Sequence, residues 1–191
     1  MDASGRGHIR SLLIHTGEPA MDVLSLLKKD HRSVEGMLDK AMKCEPEDNT
    51  LHDLAAQIEE ALIVHATIEE KFFYPLLRKR AEETEDTVDV FEAYTEHDLL
   101  KRLIALLQSG RQPDEKFKAE VQVLTESVKH HVKEEESTIF SLARKVMAKD
   151  ELDELGQKME KAKQRLTAAA APLARARKAT APTRARKTAR R

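Results

Sequence analysis

The chain has 191 residues, 40% of them hydrophobic and 35% charged, with six Gly, six Pro and no Trp. That is enough for one domain with a substantial core, and the shortage of turn formers argues against a β-rich fold. No apolar run approaches the ~20 residues of a membrane span. A single cysteine, Cys44, cannot make an internal disulfide. With no secretory signal pattern at the N-terminus, the expected location is reducing and cytoplasmic. The formal charge of −1 hides an asymmetry: residues 172–191 carry eight cations and no acid, leaving about −9 on residues 1–171.

Residues 1–20 have no sustained periodicity and read as a disordered leader. Met21 opens the first amphipathic run and is a second candidate for the start. From it Val23, Leu24, Leu26, Leu27, Val34, Met37 and Leu38 recur at helical spacing until the turn-rich segment around Pro46. A second helix is expected from about Leu51 to Arg80, with Pro75 kinking it or ending its regular part. A third is expected from about Asp86 to Gln108, stopped by Ser109-Gly110. A fourth runs from about Asp114 to Ala148, and a shorter one covers about 150–167. Long helices with short connections make an antiparallel up-down four-helix bundle the economical all-α fold, over 21–148. An additional helix falls within 149–171, and the Ala, Arg, Lys, Thr and Pro of 172–191 read as a disordered basic tail.

Two H-x-x-x-E pairs stand out, His65 with Glu69 and His131 with Glu135. Residues four apart share a helix face, so each pair can chelate one centre. The pairs lie 66 residues apart, and the same shift carries His31 onto His97. The neighbourhoods align as well, HATIEEKFFYPL over HVKEEESTIFSL and DHRSVEGML over EHDLLKRLI. A bundle of two similar helix pairs would bring three ligands from each half to a common middle. Imidazoles mixed with carboxylates suit iron, and a carboxylate from each half can bridge two ions. Buried at repeated positions without a metal, these six residues would cost several kcal/mol. His8, His15 and His52 read as ordinary surface histidines. His130 points about 100° away from His131 and is expected outside the bundle. Phe72, Phe73, Tyr74 and Phe140 read as core.

The order H…HxxxE…H…HxxxE, with the paired glutamates followed by aromatics and FYP, resembles the hemerythrin-like HHE cation-binding family across Asp22 to Met147. The resemblance implies a four-helix bundle with a non-haem di-iron centre. It implies terminal imidazoles at His31, His65, His97 and His131 and bridging carboxylates at Glu69 and Glu135. Family members bind oxygen or sense or handle oxygen, nitric oxide, peroxide or iron. The oxygen carriers add a histidine one turn from the third-helix ligand, where this chain has Ala93 and Lys101. They also place the last carboxylate five residues after its histidine, which makes Glu136 the reserve for Glu135. Tyr94, one turn before His97, is a possible supporting hydrogen-bond partner.

The expected function is a di-iron protein that binds or senses oxygen, nitric oxide or iron. One alternative is a redox enzyme acting on nitric oxide or peroxide. Another is a DNA-associated protein working through residues 172–191, whose cations lack interleaved aromatics and so would contact phosphates in a salt-sensitive, sequence-independent way.

Overall fold

The computed structural model describes residues 21–107 and 113–180, and side chains as far as residue 170. Helix α1 is Val23–Lys43 and α2 is Asn49–Ile68. A single π-helical turn, Glu69–Phe73, joins α2 to α3, Tyr74–Arg80. Helix α4 is Thr84–Leu107 and α5 is Glu115–Glu134. A second π turn, Glu135–Ile139, joins α5 to α6, Phe140–Val146, and α7 is Lys149–Thr180. No strand occurs among the described residues.

The helix starts follow from side-chain caps. Asp22 accepts from the Ser25 amide, Asp48 from that of Thr50 and Asp114 from that of Phe117, each satisfying an N–H that a helix cannot bond internally. At the other end of α1, Lys118 donates to the carbonyls of Ala41, Met42 and Cys44 at 2.7–2.9 Å, tying α5 to the last turn of α1.

Helix α1 packs on α2 and α5, and α4 packs on α5 and α2, so the four long rods form a square with α1 and α4 on a diagonal. Helix α7 lies across α1 and α2. It is longer than the sequence reading allowed: the backbone stays helical to Thr180, through part of the segment read as a disordered tail. The strong helix formers Ala, Arg and Lys on both sides of Pro172 offset the cost of a proline. The remainder of that tail and the proposed leader lie outside the described residues.

The core is interrupted. One apolar cluster gathers Leu24, Leu27, Ile68, Phe73, Tyr74, Val90, Phe140 and Met159 at one end of the bundle. A second gathers Val34, Leu38, Leu51, Ile58, Ile104, Phe117 and Val128 at the other. Between them, on all four rods, sit buried polar residues.

Candidate metal centre

That belt is His31, His65, Glu69, His97, His131 and Glu135, each no more than 5% exposed. The structure thus brings together all six residues that the repeat selects. The Nε2 atoms of His31 and His65 are 3.2 Å apart, and so are those of His97 and His131. Two imidazole nitrogens sharing one ion at about 2.1 Å each, near a right angle, would sit about 3 Å apart. The ligand atoms fall into two groups, His31, His65, Glu69 and Glu135 in one and Glu69, His97 and His131 in the other. Glu69 belongs to both. Its Oε2 lies 3.2 Å from His65 Nε2 and 3.3 Å from His97 Nε2. Glu135 Oε2 lies 3.1 Å from His31 Nε2 and 4.0 Å from His131 Nε2.

These contacts are close but mostly not aligned as hydrogen bonds. Both oxygens of Glu69 and Oε2 of Glu135 are fully buried without a hydrogen-bond partner among the described residues. Orphaned carboxylate oxygens facing imidazole nitrogens are expensive in a protein interior, and a shared cation removes the cost. The donor set fits a metal.

The electrostatics of the metal-free chain show the same tension. Burial and the nearby Glu135 charge push the Glu69 carboxyl well above its usual range. Burial acts on Glu135 in the same direction, but the His31 imidazole and the other histidines draw it below the carboxylate range. Against the effect of its own burial, His31 is raised to about 9 by the Glu135 and Glu69 carboxylates. Complete burial lowers His65 to about 4.

The two π turns explain how the carboxylates reach the middle. Each begins at the ligand glutamate, and the wide turn is closed by the amide of Tyr74 on the Glu69 carbonyl and that of Phe140 on the Glu135 carbonyl. Such single-turn insertions are frequent at functional sites. The 66-residue repeat therefore extends to the backbone. The first π turn also absorbs Pro75, which enters α3 at its first turn, where a missing N–H costs least.

Tyr74, read as core from the sequence, is at the site. It is completely buried, donates to Glu135 Oε1 at 2.8 Å, and holds its hydroxyl 3.3 Å from His97 Nε2. The repeat carried the signal, because Tyr74 falls on Phe140. Phe140 stacks on His31 at 6.0 Å, as Tyr74 packs on His97 at 5.3 Å, and only one of the pair bears a hydroxyl. Tyr94 instead reaches the Glu70 carbonyl at 3.4 Å. Ala93 is buried in the core cluster that contains Tyr74, and Lys101 turns outward to Glu70 at 2.7 Å. Glu136, the reserve ligand, bonds the outer nitrogen of His31 at 2.9 Å and stays out of the inward group. His130 is exposed, with its Nε2 3.4 Å from Glu96.

A waist of imidazoles and carboxylates inside four antiparallel helices defines a metal-binding helical bundle. The hemerythrin HHE cation binding domain family matches residues 22–143, and the chain belongs to it. A solved structure of a hemerythrin HHE cation binding domain-containing protein from Mycobacterium kansasii superposes with a TM-score of 0.69 at 23% identity, covering 81% of this chain and 92% of that one. A curated relative from Nostoc sp., called a DNA nickase, is 26% identical over 146 residues, which is 76% of this chain but 40% of the relative's length.

Proposed function

We propose that the chain holds two non-haem iron ions at this waist and binds or senses a small diatomic molecule there, oxygen or nitric oxide, or iron itself. The observation that carries this reading is the division of six inward-facing ligands into two groups that share Glu69. In it, His31, His65 and Glu135 would hold one ion, His97 and His131 the other, and Glu69 would serve both. Reduced iron would supply the electrons with which such ligands react. The protein supplies a buried enclosure and the phenol of Tyr74, whose hydroxyl donates to Glu135 and lies 3.3 Å from His97 Nε2. A cavity of about 10 Å³ beside His65, His97 and His131, lined by Leu62, Ile63, Ala66, Leu100 and Ile104, has room for about one water-sized molecule. A space of that size favours a small ligand over a large substrate. Among the described residues no helix is long and apolar enough to cross a membrane, and a reducing cytoplasm suits iron that must cycle.

Anaerobic iron loading tests the reading. About two irons per chain are expected, with an optical response to oxygen or nitric oxide; with Ala93 and Lys101 where the oxygen carriers have a histidine, the oxygen response should be short-lived. Fewer than two irons after reconstitution would overturn it. Sustained turnover of nitric oxide or peroxide would favour the redox-enzyme alternative instead. A second reading, association with DNA, is supported by the eight cations of residues 172–191 and by the name of the Nostoc relative.

A further inference from the structure

The four imidazoles of the waist turn Nε2 inward and Nδ1 outward. Three of the outer nitrogens meet a carboxylate: His31 meets Glu136 at 2.9 Å, His97 meets Glu70 at 2.9 Å and His131 meets Glu96 at 2.8 Å. Such a partner fixes the ring's tautomer and orientation and makes the inward nitrogen a better donor to metal. The fourth case breaks the pattern. His65 Nδ1 and Asp30 Oδ2 are 3.8 Å apart, and both atoms are buried without a hydrogen-bond partner among the described residues.

Two features cause the gap. Asp30 occupies the repeat position of Glu96, one methylene shorter. Its other oxygen, Oδ1, is held by the ammonium of Lys163 from α7. The lysine anchors the carboxylate on the α7 side and sets a positive charge behind it. Lys163 lies outside residues 22–143, so this hold comes from a helix beyond the family's domain.

We propose that Lys163, acting through Asp30, makes the two cation positions unequal: the His97/His131 position binds its ion tightly, the His31/His65 position binds weakly, and α7 sets the difference. This rests on the two-ion reading above. Lys163 is a positioning residue, touching neither the inward ligands nor an ion. Outer carboxylate partners of ligating histidines typically change metal affinity by 10–100-fold, so a gap of that order is expected between the two binding events.

The full chain, titrated anaerobically with ferrous ion against a competing chelator, should show two steps per chain. The weaker step should be the one lost in His65→Ala and the tighter the one lost in His131→Ala. Lys163→Met keeps the aliphatic stem, frees Asp30 to close on His65, and should tighten the weaker step by roughly tenfold. Asp30→Glu should narrow the gap by a different route, because the longer side chain can reach His65 while still pairing with Lys163. Neither variant alters an inward ligand, and unchanged helicity by circular dichroism checks the fold. Two ions of equal affinity in the wild type, or a gap that neither variant narrows, would overturn the proposal and leave the two-ion reading standing. Fewer than two ions would overturn both.

Discussion

Removing a carboxylate from the waist and removing the hydroxyl that supports it should have separable effects. Glu69→Ala deletes the one side chain common to both ligand groups, and Glu135→Ala deletes the partner that faces His31. Each should lower iron content, measured by metal analysis, while His52→Ala should leave it unchanged. Tyr74→Phe should leave iron content unchanged too, because Phe140 shows that the equivalent place in the repeat accepts a bare ring. It should still destabilise the metal-free chain, since Glu135 Oε1 loses the bond that satisfies it in a buried setting. A cost of about 1–2 kcal/mol is expected by denaturant unfolding. Loss of iron in Tyr74→Phe would show that the phenol is itself required for loading. The sequence made the six inward residues legible because ligands must recur wherever a two-fold bundle repeats. It hid Tyr74 because a tyrosine in an apolar stripe reads as core. The outer carboxylates Glu96 and Asp30 were hidden because their role depends on which helix lies opposite.

The helices themselves were readable from periodicity and caps, and Asp114 marked a helix start directly. The π turns were not, because each begins at a buried polar ligand, Glu69 or Glu135, where the apolar stripe is already broken. The length of α7 was obscured by Pro172 and by a composition that reads as a tail. What fixes α7 to the bundle is specific. A Cβ built on Gly156 would stand 2.3 Å from the Met21 carbonyl oxygen and 2.8 Å from the Val23 amide, both backbone atoms that cannot swing aside. Gly156→Ala should therefore force α7 off the start of α1 and destabilise the chain by about 1–3 kcal/mol in thermal or chemical unfolding. An alanine variant as stable as the wild type would mean the helix end gives way freely. Near the start of α7, Glu151 accepts from Arg80 at 2.9 Å and caps the Ala148 amide at 2.8 Å. The Arg80 guanidinium holds its carboxyl down to about 2. A carboxyl lowered on folding contributes stability that is fully present above its ordinary value near 4.5 and is lost as pH falls toward 2. Glu151→Gln should remove that part of the acid sensitivity, giving a shallower fall in melting temperature over this window. Parallel curves for variant and wild type would rule the pair out as a contributor.

At the scale of the molecule, charge is divided between a body of about −9 and a final segment of +8. A body of that sign repels a polyanion, so a hold on DNA is expected from residues 172–191. The packing of α7 on the bundle extends to Leu166, which leans on the core cluster. Deleting residues 172–191 should therefore leave iron content and melting temperature unchanged. On a DNA column at low salt the full chain should be retained and the truncated one should pass through. Release should be steep in salt, because each phosphate neutralised frees a condensed counterion. With at most eight such contacts, the slope of log affinity against log salt should be no steeper than about −7. Binding should be indifferent to base sequence, since the segment offers cations without aromatic rings to stack on bases. Metal-free and iron-loaded chains should be retained alike, because the segment and the waist share no ligand. Equal passage of full and truncated chains through the column would dismiss the nucleic-acid reading and leave the basic segment without that role. Retention lost on iron removal would instead mean that the bundle, and not charge alone, presents the segment to DNA.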